Sequence, residues 1–253
     1  MATRASYDFR EKTVLITGGG EGIGLGIANA FAMAGAHVIV AARREEPLRA
    51  FCDAFPANSS YLKLDVSSST ERLAAVKEIR SRHGKLDVLV NNALSYSRKP
   101  FLEMTESELA EPFNVMVIGA AALSQQCFPL LQAARGSVLN ISATSSIYVN
   151  YPTWRLTVYA AAKAALNQLT RGMAAEWGPA GVRVNAILPG VTVTRHIDPT
   201  DEEFVKSIND ITPLGRIGLP EDIAELALFL SSDSASWITG ELVRSSGGFQ
   251  LTG

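Results

Sequence analysis

Tyr159 and Lys163 stand four residues apart in VYAAAKAALNQLTRGMAAEWG (158–178), a run dominated by helix-forming residues. Residues four apart share one face of a helix, so this spacing can present a phenol and an ammonium to the same cleft. A free phenol titrates near 10, and a neighbouring ammonium favours its ionised form. Such a pair can exchange a proton with an alcohol or carbonyl oxygen while a bound cofactor carries the redox step. The same spacing also suits a tyrosine packed on a small-residue helix beside a solvated lysine, so its surroundings must decide.

A second cluster lies near the start. TVLITGGGEGIG (13–24) runs from apolar residues into five glycines, at 18, 19, 20, 22 and 24. Glycines let a backbone pass close to a pyrophosphate and let a following helix pack tightly on a sheet, although plain turns use them too. The spacing is T-G-x-x-x-G-I-G. It matches neither G-x-G-x-x-G nor the lysine-bearing G-x-x-x-x-G-K-[ST].

Both clusters must be positioned by an alternation of strands and helices. Six β-rich runs recur: TVLIT (13–17), HVIVAA (37–42), YLKLDV (61–66), LDVLVNN (86–92), SVLNIS (137–142) and VRVNAIL (182–188). Helix-like segments separate them, including 23–35, 44–55, 69–84, 105–131 and 158–178, several closed by the glycine that suits a helix C-terminus. Apolar strands joined by helical crossovers predict a single α/β domain over 1–253, a doubly wound parallel sheet of Rossmann type with helices on both faces. In such a sheet the first strand's turn points helix N–H groups at phosphate, and TGGGEGIG occupies that turn. Residues 191–220 are polar and broken by proline and glycine, as expected of a substrate loop or of a simple surface excursion.

Thr17, Gly18, Gly22, Ile23 and Gly24, with Asn91-Asn92-Ala93, Asn114, Tyr159-Ala-Ala-Ala-Lys163 and Pro189-Gly190, occur in an order that resembles the short-chain dehydrogenase/reductase family over nearly the whole chain. The resemblance implies an oxidoreductase that interconverts a secondary alcohol and a ketone with a nicotinamide cofactor. Tyr159 would be the general acid or base, Lys163 would lower its pKa and hold ribose, and Asn114 would sustain a water relay through a distorted helix. The cofactor would meet Gly18, Gly20, Glu21, Gly22, Ile23, Asp65, Val66, Asn91, Ala93, Tyr159, Lys163, Pro189, Gly190, Val191 and Thr194. Asp65 equally suits a turn cap.

The chain departs from the family pattern at three places. Thirteen residues before Tyr159, where the family's serine stands, is Ser146; counting forward from the strand reaches Ala143 or Thr144 instead. The two counts imply an insertion and leave Ser146, with Ser145 beside it, as the residue that orients the substrate oxygen. Leu94 follows Asn91-Asn92-Ala93 where glycine is usual, and SSGGF (245–249) has serine where aspartate is common. Tyr148, Tyr151 and Trp154 in the serine loop either line an apolar pocket or pack elsewhere.

The end of the second run, VIVAARREE, bears on the cofactor. Ala42 occupies the usual carboxylate position and Arg43 and Arg44 follow, which favours NADP because guanidinium pairs with its extra phosphate. Glu21 in the glycine turn opposes that reading and keeps NAD as the alternative. The remaining alternatives are an NADPH-dependent C=C reductase and a non-catalytic cofactor-binding sensor.

Partners follow from composition. With 23 basic and 25 acidic residues the net charge is −2, which gives no electrostatic case for nucleic acid or an anionic membrane. No eighteen consecutive apolar residues occur, and MATRASYDFR lacks an apolar stretch, so neither a membrane span nor a signal peptide is expected. Cys52 and Cys127 lack disulfide or metal-ligand spacing, which fits a reducing cytoplasmic setting. His196 has no partner at metal-ligand spacing and reads as a loop residue. Small-residue helices, IGAAALSQQCF and AAAKAALNQLTRGMAAEW, suit a homo-oligomer, dimer or tetramer, or equally packing on the sheet.

Overall fold

The computed structural model describes residues 7–148, 154–197, 199–249 and 251. Six of its strands fall on the apolar runs: β1 (Thr13–Thr17), β2 (His37–Ala42), β3 (Ser59–Lys63), β4 (Val88–Asn91), β5 (Ser137–Ile141) and β6 (Arg183–Pro189). A seventh, β7 (Leu242–Ser245), is a short, half-exposed edge without the continuous apolar run of its neighbours. All pairings are parallel, in the order β3-β2-β1-β4-β5-β6-β7.

The central strands β1, β4 and β5 are buried along their whole length because both faces are covered, and their period of two divides the core. Val14 and Ile16 enter one side with Val38, Val40 and Val90, beneath Ile27 and Phe31 of α1 (Gly22–Met33) and Leu228 of α8 (Pro220–Ser231). Leu15 enters the other with Ile39 and Leu89, against Ile79 of α3 (Ser69–His83) and Leu123 and Leu131 of α5 (Ala120–Ala134). The remaining helices are α2 (Glu46–Ala54), α4 (Glu106–Phe113), α6 (Thr157–Trp177) and α7 (Glu202–Asp210).

Strand order reverses at β1, which lies between β2 and β4, and the crevice beyond the carboxyl ends there is where doubly wound sheets bind ligands. The glycine turn, the β4 and β5 ends and the start of α6 all meet at it.

Residues 106–134 form one continuous helical run whose middle, Asn114–Gly119, is wound as a π-turn. Thr105 and Glu108 cap its start reciprocally, and Gly119 lets it approach the segment after β3, since a Cβ there would stand 2.8 Å from the Val66 carbonyl oxygen. By length and composition this run alone, among the described residues, could cross a membrane. Here it lies along the sheet, with Leu123, Cys127, Leu130 and Leu131 buried.

Residues 191–220 are more structured than their polar sequence implies. They contain α7, capped by Asp201 accepting from the Phe204 N–H at 3.0 Å, and their Ile208 and Ile217 form a small buried cluster with Phe249 from the C-terminal end of the chain.

Candidate active site

A cavity of about 430 Å³ opens at the strand-order reversal and takes in both motifs. Its floor is the glycine turn. Gly18 and Gly22 adopt φ of +65° and +51°, and a Cβ on Gly24 would lie 2.1 Å from the Gly18 carbonyl oxygen. No side chain caps α1, so its first-turn N–H groups remain available to a ligand.

Thr17 and Asn92 brace this turn. The Thr17 hydroxyl donates to Val90 O at 3.3 Å and accepts from the N–H groups of Asn92 and Ala93 at 3.0 and 3.1 Å. The Asn92 amide donates to Thr17 O and Gly18 O at 3.1 and 3.0 Å. Asn92, part of the Asn91-Asn92-Ala93 motif but not among the expected cofactor contacts, lines the cavity; Asn91 does not. Asn91 lies within β4 and turns the opposite way, donating to Ser124 Oγ and Asn140 Oδ1, both at 2.9 Å. The pleat separates the two neighbours, so Asn91 serves the core, which corrects its expected contact with cofactor.

Gly18, Gly20, Glu21, Gly22, Ile23, Arg43, Arg44, Asp65, Val66 and Ala93 line the cavity, as do Ser145, Tyr159, Lys163, Pro189, Gly190, Val191 and Thr194. Glu21 does not stand alone as a negative charge. Arg44 pairs with it at 2.5 Å and Arg195 at 3.2 Å. Arg43 faces the same space and forms no ion pair among the described residues. Asp65 combines both of its expected roles, lining the cavity while accepting from the Ser67 N–H and hydroxyl at 2.9 and 2.7 Å. Burial pushes its carboxyl upward, but those bonds and the Arg43 and Arg72 charges hold it below its ordinary value.

Tyr159 and Lys163 share the inner face of α6, the ammonium lying 5.7 Å from the phenol ring centre. Lys163 is 3% exposed and donates to Ile141 O at 2.5 Å. Burial draws its pKa down to about 7, and burial, reinforced by Tyr96, pushes the Tyr159 phenol well above its ordinary value. Within the chain itself desolvation therefore outweighs the lowering expected from the lysine, which favours the protonated phenol.

The serine loop resolves between two neighbours. A short 3₁₀ turn, Thr144–Ser146, follows β5. Ser146 Oγ donates to Ala143 O at 2.5 Å, accepts from Asn167 Nδ2 at 2.7 Å, and lies off the cavity. Ser145 lines the cavity and its buried hydroxyl has no partner among the described residues. The preference for Ser146 is thereby corrected, because the turn rotates its hydroxyl into the loop.

Asn114 is corrected as well. The helix is distorted there, yet Asn114 is exposed and off the cavity; Val115 lines it and Met116 is 1% exposed. Its apolar neighbours divide: Met116 is buried, whereas Phe113 and Ile118 are exposed like the asparagine, so an apolar run does not by itself bury the amide.

Trp154 lines the cavity, Tyr148 instead accepts from Arg244 outside it, and Tyr151 lies outside the described residues. Leu94, Tyr96 and Arg98 from the loop after β4 also line it, as does His196 from a separate loop. Of these, Leu94 and His196 stand out in the sequence, and no sequence pattern joins the loop of Tyr96 and Arg98 to that of His196.

Residues 18–250 match the family model described as Enoyl-(Acyl carrier protein) reductase. A tropinone reductase homolog of Arabidopsis thaliana is 35% identical, with 100% of this chain and 97% of the relative covered. The 7alpha-hydroxysteroid dehydrogenase of Escherichia coli is 34% identical over 94% of this chain and 93% of its own. Among solved structures, a short-chain dehydrogenase/reductase from Brucella melitensis, described as a glucose/ribitol dehydrogenase, superposes with a TM-score of 0.91 at 29% identity, covering 96% and 98% of the two chains. A putative NAD(P)-dependent gluconate 5-dehydrogenase from Beutenbergia cavernae, with NADP at low occupancy, gives 0.88 at 31% identity over 97% and 99%. The chain belongs to the short-chain dehydrogenase/reductase family of oxidoreductases.

Proposed function

We propose that this protein is an NADP-preferring oxidoreductase that interconverts a secondary alcohol and a ketone. One observation carries the reading: Tyr159, Lys163 and the unpartnered Ser145 hydroxyl converge in the cavity that ends at the glycine turn. The residues fit a nicotinamide dinucleotide, since the glycine cradle would be filled by any Cβ and Arg43, which lines the cavity, forms no ion pair among the described residues. The glycine turn and α1 would hold the pyrophosphate, Arg43 the adenosine phosphate of NADP, and Pro189-Gly190, Val191 and Thr194 the nicotinamide end. When bound, the cofactor supplies or accepts a hydride.

The chain's own residues do the rest. Ser145 donates to the substrate oxygen and orients it. Tyr159, kept protonated by burial, gives its proton to that oxygen during reduction. Lys163, anchored on Ile141 O, places positive charge beside the phenol and stabilises the phenolate left behind. The apolar wall of Trp154, Leu156, Phe204 and Phe249 excludes water from the transfer.

The test follows nicotinamide absorbance with NADPH and NADH against ketones and activated enones, comparing the native protein with Tyr159→Phe. Ketone turnover that collapses in the variant supports the reading. Enone turnover that survives it supports C=C reduction instead.

A further inference from the structure

The outer end of the cavity has two unlike walls. On one side are Trp154, Leu156, Phe204 and Phe249; the Trp154 and Phe249 rings stack with centres 5.9 Å apart, and Phe204 lies 6.4 Å from Trp154. On the other, Tyr96 stands edge-on to Tyr159 with ring centres 5.5 Å apart and meets His196 at 4.7 Å. Arg98 donates from Nε to the Tyr96 hydroxyl at 2.9 Å and lies 5.8 Å from its ring centre.

The charge at this wall is one-sided. Arg98 forms no ion pair among the described residues. Arg195 bonds to His196 Nε2 at 3.2 Å and also pairs with Glu21, the carboxylate it shares with Arg44. The charges of Arg195 and Arg98, added to burial, push the His196 imidazole below its ordinary value, against a smaller opposing effect of Glu21. Burial keeps the imidazole neutral near pH 7, so it can donate a hydrogen bond without adding a second charge. Guanidinium presents a planar fork that matches a carboxylate, and the aromatic rings hold that fork in place.

We propose that the substrate is an amphipathic oxo-acid or hydroxy-acid, its apolar body on the Trp154–Phe249 wall and its carboxylate held by Arg98 with His196. The Tyr96 ring separates Arg98 from Tyr159, so the carboxylate must lie several bonds from the reacting carbon, which excludes 2-oxo acids. This deepens the alcohol–ketone reading and rests on it.

The test compares 4-benzoylbutyrate with its methyl ester, using NADPH, in the native protein, Arg98→Gln and Arg98→Lys. The expected result is a native kcat/KM that favours the acid, with the acid-to-ester ratio falling roughly tenfold in Arg98→Gln and partly restored in Arg98→Lys, as for one exposed charge-assisted contact. A native preference for the ester, or a ratio unchanged in Arg98→Gln, overturns the proposal. If neither probe turns over, calorimetric titration in the presence of NADP decides the subsite separately from the alcohol–ketone reading. Acid binding tighter than ester binding and weakened in Arg98→Gln upholds it, whereas equal or absent binding sinks it.

Discussion

Replacing Ser145 and Ser146 by alanine, one at a time, separates chemistry from architecture at adjacent positions. Ser145 Oγ is buried, faces the cavity and has no partner among the described residues. Removing it deletes a donor aimed at the reacting oxygen, and comparable donors are worth about 10²–10³ in kcat, or about 3–4 kcal/mol. The folded chain loses no internal bond, so its melting temperature should hold or rise slightly. Ser146 Oγ makes bonds of 2.5 and 2.7 Å with Ala143 O and Asn167 Nδ2. Asn167 is 4% exposed and its Oδ1 is already unpartnered, so Ser146→Ala strands its Nδ2 as well. That costs about 1–3 kcal/mol, a fall of roughly 2–10 °C in Tm for a chain of this size, with kcat kept within about tenfold. Steady-state kinetics on a ketone and thermal melts of both variants read the two effects. A hundredfold loss of kcat in Ser146→Ala, beside a fully active Ser145→Ala, would refute the assignment and return the role to the residue favoured by counting from Tyr159.

Three further outcomes are expected. Arg43→Ala should raise KM for NADPH about tenfold or more, with a much smaller change for NADH, because it removes a charge-assisted contact to the extra phosphate; equal changes for both cofactors would count against the NADP preference. Lys163 titrates near 7 when folded but near 10.4 when unfolded, so the unfolded chain binds the extra proton between those values. Stability from this group therefore rises with pH above about 7, by at most ~1.4 kcal/mol per unit, and Lys163→Met should flatten the slope in thermal melts between pH 7 and 9. Gly24→Ala forces a Cβ against the Gly18 carbonyl oxygen at 2.1 Å, a backbone contact that no side chain can relieve. Cofactor affinity measured by calorimetry should fall at least tenfold and Tm should drop, and wild-type values for both would contradict the close approach.

Much of the molecule was legible because its signals are local. Six apolar runs became strands because parallel strands covered on both faces need unbroken apolar sequence, and Tyr159 and Lys163 share a cleft because helical periodicity puts them on one face. The glycines of the first turn are also local, since Gly18 and Gly22 need positive φ and Gly24 needs a missing Cβ. β7 escaped notice because a half-exposed edge strand lacks the continuous apolar run that marks the others.

The sequence by itself determined the doubly wound sheet, the glycine cradle and the tyrosine–lysine pair. Only the tertiary structure decided between neighbours and joined distant loops. A pleat chose Asn92 over Asn91, one 3₁₀ turn chose Ser145 over Ser146, and the winding of a π-turn left Asn114 on the outside. Glu21 loses its veto over NADP through Arg195, 174 residues away, and Tyr96 joins Arg98 on its own loop to His196 on another. Such choices depend on rotations of about one residue and on contacts far apart in the chain, and hydrophobic periodicity carries no information about either.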